Sequence, residues 1–475
     1  MRLLDTDTRY FDFNFPGSPQ LTNSWGDLIK VLDFCLVTGS EYKKIYSITC
    51  TDNDKEHNNL YWLCKIVLES KHGFEKLLSV VKIVGSSIPE YNGIHRVQDI
   101  GDNYIIIALD KNLIPDKPQD SLTEIIDCTI KLEPLGYEKT FSAIDKGAYI
   151  NKDLNRNNNI FLRVDNSCPI GYDPTWAKFA RVSMISDMRD IEDYNFIRGR
   201  DKAPSYLHDY TRAEEQFGAA DSGIYGESKW YYSLLESNSS RETYAPTNNF
   251  SKKWEVIGDN RTFYFFIEAL TALSSAPGGS VDQRAGYCFG EYTEYFDVNN
   301  IKNYILIANE VYNQASFSSN FNASSSPGHI EKYNSFARTG ISHGKYILNA
   351  DQKETHITSE HEKFEFKCMI GDGAASGDST TNSDVDRLKP KVSFMPVGIK
   401  TTTARVRCFK GYMRGYNFLS SDIQFMKNHL GFFKHKEVIT NLDNFTFVLL
   451  STALSSGTTN NGDNTRVAFN IGNWG

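Results

Sequence analysis

Residues 21–39 read LTNSWGDLIKVLDFCLVTG. Trp25, Leu28, Ile29, Leu32, Cys35 and Leu36 recur at the spacing that stacks apolar side chains on one face of an α-helix. Asp27, Lys30 and Asp33 take the opposite side. Asn23 or Ser24 can accept from the open backbone N–H groups at the start, and Gly39 can adopt the left-handed conformation that ends a helix. Almost everything after this stretch reads as strand and loop. The expectation is one amphipathic helix plugging a β-rich core, with docking against a partner as the functional alternative.

Composition agrees with a mainly β chain. Of 475 residues, 26 are Tyr and 30 are Phe, and such rings suit pleated, half-buried surfaces and protein interfaces. The length allows two to four domains. Lys plus Arg total 51 against 59 for Asp plus Glu, a net charge of −8, which argues against an extensive nucleic-acid-binding surface. The N-terminus carries acids where a signal peptide needs an apolar run, and no stretch reaches transmembrane length. Asn-x-Ser/Thr triplets such as those at Asn260 and Asn444 then read as chance matches.

The eight cysteines are Cys35, Cys50, Cys64, Cys128, Cys168, Cys288, Cys368 and Cys408, none closer than fourteen positions to the next. Thiolate zinc sites are built from closer pairs, so the expectation is no metal knuckle and reduced, buried thiols.

Strand-like alternation runs through Lys44 to Cys50, Tyr61 to Leu68, Leu78 to Val84, Tyr104 to Leu109 and Ile125 to Leu132. Tyr91-Asn92-Gly93 marks a turn leading into a strand. Residues 1–130 therefore read as the helix plus a small β-barrel-like module. Residues 131–300 read as a β-sandwich-like central domain with a long polar, aromatic insertion at 198–250, and 301–475 as a C-terminal β-rich domain. Within the centre, Trp254 to Phe266 reads as a hairpin around Gly258-Asp259-Asn260. Residues 316–328, 371–386 and 455–464 read as exposed loops.

Taken in order, several segments resemble a family of tailed-bacteriophage virion proteins. They are Leu135-Gly136-Tyr137-Glu138-Lys139 with Phe141, Ala148-Tyr149, Phe161-Leu162-Arg163-Val164-Asp165, Ala180-Arg181-Val182, Met184 to Met188, Trp254 to Phe265 and Phe289-Gly290-Glu291. Similar phrases in that family run LGWEK, YLRVDD, GD-RTFYLF and FGD. Asp33 to Gly39 resembles its LDACLVNGF phrase, and Ile471 to Gly475 its ending. His72-Gly73-Phe74, Ile83-Val84-Gly85 and Tyr91-Asn92-Gly93 resemble a pattern of small β-modules in phage structural proteins. Tyr137 stands where the family tends to have Trp, and Tyr149 is followed by Ile150 rather than Arg.

The resemblance implies a non-enzymatic structural part of the virion, in the tail, baseplate or tail tip. Such a part assembles as a homo-oligomer in a ring or array with other virion proteins, without a cofactor, direct nucleic-acid contact or a membrane span. A capsid decoration or neck protein is one alternative, and a receptor- or glycan-binding tail protein another.

Catalytic patterns in the sequence each have a blander counterpart. Asp187, Asp190, Glu192 and Asp193 form the one dense acidic run near a strand, and such runs are usually solvated turns rather than the paired acids of a glycosidase. Glu291 beside Tyr292 offers no better pair. His72, His95, His356 and His361 lack HExxH spacing, and Asp372, Asp378 and Asp384 form only a weak calcium pattern. The aromatics Trp25, Tyr206, Tyr210, Trp230, Tyr231 and Tyr232 are the interface candidates, because rings give large contact area at small entropic cost.

Overall fold

The computed structural model describes residues 5–15, 17–52, 60–120, 127–152, 160–169, 174–175, 177, 179–185, 188–192, 228–232, 251–268, 281–294, 304–307, 346–349, 363–364, 392–400, 407–419, 436–442, 445–451, 453–455 and 466–474. It is mainly β, as the composition and alternation predict.

Strand β1 (Arg9–Asp12) precedes helix α1 (Asp27–Leu32), which continues as a wider π-wound segment, Asp33–Thr38. Six strands follow: β2 (Lys43–Thr51), β3 (Tyr61–Leu68), β4 (Val80–Val84), β5 (Gly93–Ile100), β6 (Tyr104–Asp110) and β7 (Thr129–Leu132). They close into an antiparallel barrel, β2-β3-β6-β5-β4-β7, with β7 hydrogen-bonded back to β2. Alternate residues fill it, among them Ile45, Ile48, Ile66, Val81, Ile83, Ile105, Ile107 and Ile130, all buried.

A five-stranded sheet comes next, ordered β12-β11-β10-β9-β8. Its strands are β8 (Tyr137–Ala143), β9 (Lys146–Asn151), β10 (Phe161–Asp165), β11 (Phe179–Ile185) and β12 (Ser228–Tyr231). The remaining strands are β13 (Trp254–Gly258), β14 (Thr262–Glu268), β15 (Val281–Glu294), β16 (Tyr304–Ile307), β17 (Tyr346–Asn349) and β18 (Lys363–Phe364). After them come β19 (Val392–Lys400), β20 (Arg407–Leu419), β21 (Glu437–Leu442), β22 (Phe445–Ser451), β23 (Ala453–Ser455) and β24 (Arg466–Asn470). Together with β1 they form a thirteen-stranded sheet whose main path is β1-β13-β14-β15-β20-β24-β22-β21.

The two sheets meet through aromatic rings. Trp230 of β12 stacks on Tyr287 of β15 at 5.4 Å, and Tyr137 of β8 meets Phe263 of β14 edge-on at 5.7 Å. The Trp254–Phe266 hairpin forms as expected: Asp259 Oδ1 accepts from the backbone N–H groups of Arg261 and Thr262, both at 2.8 Å, closing the turn.

Several expectations are corrected. The large sheet does not respect boundaries at 130 and 300, because β1 pairs with β13 and β15 pairs with β16 and β20. Within the segment read as an insertion, Ser228–Tyr231 is a strand of the five-stranded sheet. The helix begins at Asp27, after Gly26 at φ 85°, rather than at Leu21. Asp27 is buried, not exposed, and so are Val31 and Phe34, because packing surrounds the helix on more than one side. Cys50 and Cys64 are not reduced thiols but a disulfide. The antiparallel β2–β3 register sets them opposite each other, so fourteen positions of sequence close to a Cα–Cα distance of 4.1 Å. Cys35, Cys128 and Cys288 are buried thiols as expected, burial pushing each above the ordinary thiol range. Cys368 lies outside the described residues.

Candidate functional site

The helix is a junction on which all three β-units meet. The backbone N–H of Leu28 donates to Asn166 Oδ1 at 3.1 Å and that of Gly26 to the Asn166 carbonyl at 3.2 Å, so the side-chain cap comes from just beyond β10, while Ser24 accepts from the Asp27 N–H through its carbonyl at 3.3 Å. Asp27 reaches back to accept from the Thr22 N–H at 3.0 Å. Asn166 Nδ2 in turn donates to the Tyr232 hydroxyl at 2.7 Å.

At the π-wound end, Asp33 Oδ1 accepts from the Tyr149 hydroxyl at 2.8 Å and Oδ2 pairs with Lys139 Nζ at 2.9 Å, tying the helix to β9 and β8. The Leu135 N–H donates to the Cys35 carbonyl and the Gly136 N–H to the Leu36 carbonyl, at 2.9 and 3.0 Å. Phe34 packs edge-on against Phe11 of β1 and Trp254 of β13, which joins the large sheet to the same element. Gly39 ends the helix at φ 70°, and a Cβ on it would stand 2.0 Å from the Leu132 carbonyl of the barrel. Only glycine permits that approach.

Two further ties close the molecule. The buried Arg96 of β5 donates to the backbone carbonyls of Asp5, Thr8, Leu77 and Ile471 at 2.6 to 2.9 Å, joining both ends of the chain to the barrel. Burial lowers its pKa to about 10. Lys436 pairs with Asp12 of β1 and, at 3.0 Å, with Glu75. Burial lowers its affinity for a proton, but these two carboxylates outweigh that and hold the ammonium above its ordinary range.

The outer face of the five-stranded sheet carries the densest charge cluster. Asp165 meets Arg181 at 2.8 Å, Lys146 at 3.2 Å and Arg163 at 3.3 Å. Burial works against its ionisation, yet Arg181 and Arg163 outweigh that and hold the carboxyl below its ordinary range. Residues 188–192 strap across this face: Arg163 Nε donates to the Ile191 carbonyl at 3.0 Å, and Glu192 pairs with Lys146 and Arg163. Met188 and Ile191 pack there with Ala148 and Ile185.

The acidic run is thus in part a tether. Glu192 neutralises two cations, and Asp190 accepts from the Glu192 N–H in a local turn. Asp187 and Asp193 lie outside the described residues. His72 is buried, its Nδ1 accepting from the Phe74 N–H and its Nε2 directed at the Gly101 and Tyr104 carbonyls. His95 Nε2 faces the Tyr91 carbonyl at 3.0 Å. His356, His361, Asp372, Asp378 and Asp384 lie outside the described residues, and among those described no three His, Cys, Asp or Glu side chains gather as a metal site. No helix among them is long and apolar enough to cross a membrane.

Of the interface candidates, Trp230 and Tyr232 are corrected to core residues. Both are fully buried, one between Phe263, Phe265 and Tyr287, the other against Asn166. Trp25 is half-buried, edge-on to Phe179. Tyr231 ends β12 opposite Phe179, and Tyr206 and Tyr210 lie outside the described residues. No sequence pattern marks Arg96 or Asn166, and Arg163 and Arg181 stand out only as members of the FLRVD and ARV phrases. The signal in FLRVD is an arginine set between apolar residues within a strand.

No family model matches the chain, and no curated protein matches its sequence.

Proposed function

We propose that this chain is a structural component of a tailed-bacteriophage particle, in the tail, baseplate or tail-tip region, acting through multi-copy assembly. One observation carries the reading. Several of the phage-like segments, spread from Asp33 to Trp254 in the sequence, meet at the helix. Asp33 to Gly39 forms the π-wound end of the helix, and Leu135 and Gly136 bond to it. Lys139 and Tyr149 hold Asp33, and the residue after the FLRVD segment caps the helix. Trp254 packs on Phe34, and Phe263 of the RTFYFF segment packs on Phe289 of FGE. That these segments bond to or pack on one another supports the reading of them as parts of one shared framework.

A framework held by buried charge and backbone bonds between layers suits a part that transmits load between neighbours. Its work is shape and area. Mass spectrometry of purified particles, followed by cryo-EM tracing of the chain, tests the reading. Density in a ring below the head, against tube or fibre proteins, is the expected result. Density on the capsid lattice would move the assignment to a decoration protein, and absence from the particle would overturn it.

A further inference from the structure

We propose that Lys436 and Asp12 condense to an amide, a covalent tie between the two ends of the large sheet, with Glu75 as the proton carrier. This goes beyond the assembly reading and does not depend on it.

The reacting groups come from three parts of the chain. Along β1, period two sets Tyr10 and Asp12 on one face, and the β1–β13 register puts Ile257 opposite Tyr10 and Glu255 opposite Asp12. Asp12 and Glu255 are 0% and 1% exposed, so two buried carboxyls face each other across the pair. Like charges so placed repel. Lys436, just before β21, answers them: its Nζ contacts Asp12 Oδ2, stands 3.0 Å from Glu75 Oε1 and lies 5.4 Å from the centre of the Tyr10 ring.

Each partner is held for that approach. Lys436 has φ 63°, a left-handed conformation that residues with a Cβ rarely adopt, and its N–H donates to the Leu449 carbonyl of β22 at 2.8 Å. Asp12 Oδ1 accepts from the Asn14 N–H at 2.8 Å, which places a donor where negative charge would develop on that oxygen. The Glu75 N–H donates to the Ser79 hydroxyl at 2.8 Å, and the Ser79 N–H donates to the Glu75 carbonyl at 3.0 Å. Glu75 Oε2 is buried with no hydrogen-bond partner among the described residues.

The condensation balances without an oxidant. Burial favours the neutral amine while Glu75 and Asp12 favour the ammonium, and the carboxylates prevail, so reaction begins with a proton passing from Nζ to Glu75. Burial holds the Glu75 carboxyl above its ordinary range, which suits a group that takes up a proton and returns it. The Nζ lone pair then bonds to Asp12 Cγ, Oδ1 carries negative charge against the Asn14 N–H, and Glu75 delivers to Oδ2 the two protons that Nζ gives up. The Cγ–Oδ2 bond breaks with its electron pair on oxygen, and water leaves. An ammonium and a carboxylate thus become one neutral amide plus water. Loss of both charges relieves the desolvation that a buried ion pair bears, and partners fixed in contact need no bimolecular encounter. Because β1 and β21 end the main path of the large sheet, the amide ties its first strand to its last across 424 positions of chain.

Intact-mass spectrometry of the purified, reduced full-length chain tests the bond. Wild type is expected one water lighter than its sequence, and a tryptic digest should contain a branched peptide joining Asp12 to Lys436, uncut after Lys436. Lys436→Arg and Asp12→Ala, each checked for unchanged circular dichroism, should keep the full sequence mass. In samples drawn through expression, Glu75→Gln should form the branched peptide at least about tenfold more slowly, since a positioned acid–base group contributes about a hundredfold or more. A folded wild type that stays at full sequence mass, a lost water without the branched peptide, as a succinimide gives, or a Lys436→Arg chain that still loses it would each overturn the bond. A Glu75→Gln chain that condenses at the wild-type rate would overturn the role of Glu75. Presence in the particle is measured separately, so the bond can fail while the virion assignment stands.

Discussion

Reduction of the Cys50–Cys64 bond should loosen the barrel by an amount set by the loop it encloses. The bond joins residues fourteen apart, closing a loop of about 15 residues, for which chain-entropy arguments give about 3 kcal/mol. At about 1.4 kcal/mol per decade this is roughly a hundredfold change in an opening equilibrium. Hydrogen exchange read by mass spectrometry locates it. Amides of β2 and β3 that exchange through opening of the barrel wall should exchange about a hundredfold faster once the bond is reduced, whereas peptides from β13 and β14 should not change. C50A/C64A serves as a control whose exchange should be indifferent to reductant. Both sulfurs are buried, so loss of the bond must be verified by thiol labelling after quenching. Unchanged β2 and β3 exchange in a sample with the bond verified as broken would refute the loop-entropy reasoning. Two labelled thiols at these positions before any reductant is added would refute the staple itself.

Four further outcomes follow from single contacts. Asp33→Ala strands the Tyr149 hydroxyl and Lys139 and should cost about 2 kcal/mol in urea unfolding, while Asp33→Asn, which still accepts from Tyr149, should cost less. Arg96→Met removes the donor from four backbone carbonyls, and at about 1 kcal/mol or more for each stranded acceptor it should cost at least about 4 kcal/mol and speed exchange at residues 5–8. Asp165 has a folded pKa below its unfolded value, so its contribution is full above the unfolded value and is lost as pH falls through the folded one; Asp165→Asn should flatten the acid limb of a stability-against-pH curve. Gly415 has φ 65°, and a Cβ there would lie 1.9 Å from the Trp474 ring, so Gly415→Ala should destabilise by about 2 kcal/mol. Adding Trp474→Ala should cost less than the sum of the two single changes.

What could be read from the sequence was local and periodic. The apolar stripe from Leu28 to Leu36 marked a helix because its spacing is intrinsic to the chain, and all five of its helical members are buried. Trp254 to Phe266 read as a hairpin because Asp259 is bonded to its own turn. Tyr61 to Leu68 alternated as a strand because half its residues face the barrel interior. In each case the residues that define the element also complete it.

What could not be read was whatever a distant partner completes. The helix cap is Asn166, 138 positions from the amide it satisfies, so nearby Asn23 and Ser24 were the only candidates visible locally. The cysteine pair required the β2–β3 register, and β12 required β11 beside it to turn a polar, aromatic stretch into a buried strand. Asp27 shows how the two levels compete. Its periodic position assigns it to the solvent side, yet it is buried beside Lys30 and Thr22 because sheets flank the helix on both sides. Asp33 carries the bond to the neighbouring sheet, through Tyr149 and Lys139, from the polar side of the helix, whereas the buried Asp27 is satisfied within its own segment by Thr22 and Lys30. Burial and cross-linking are thus separate tasks on this helix, and periodicity announces only the second.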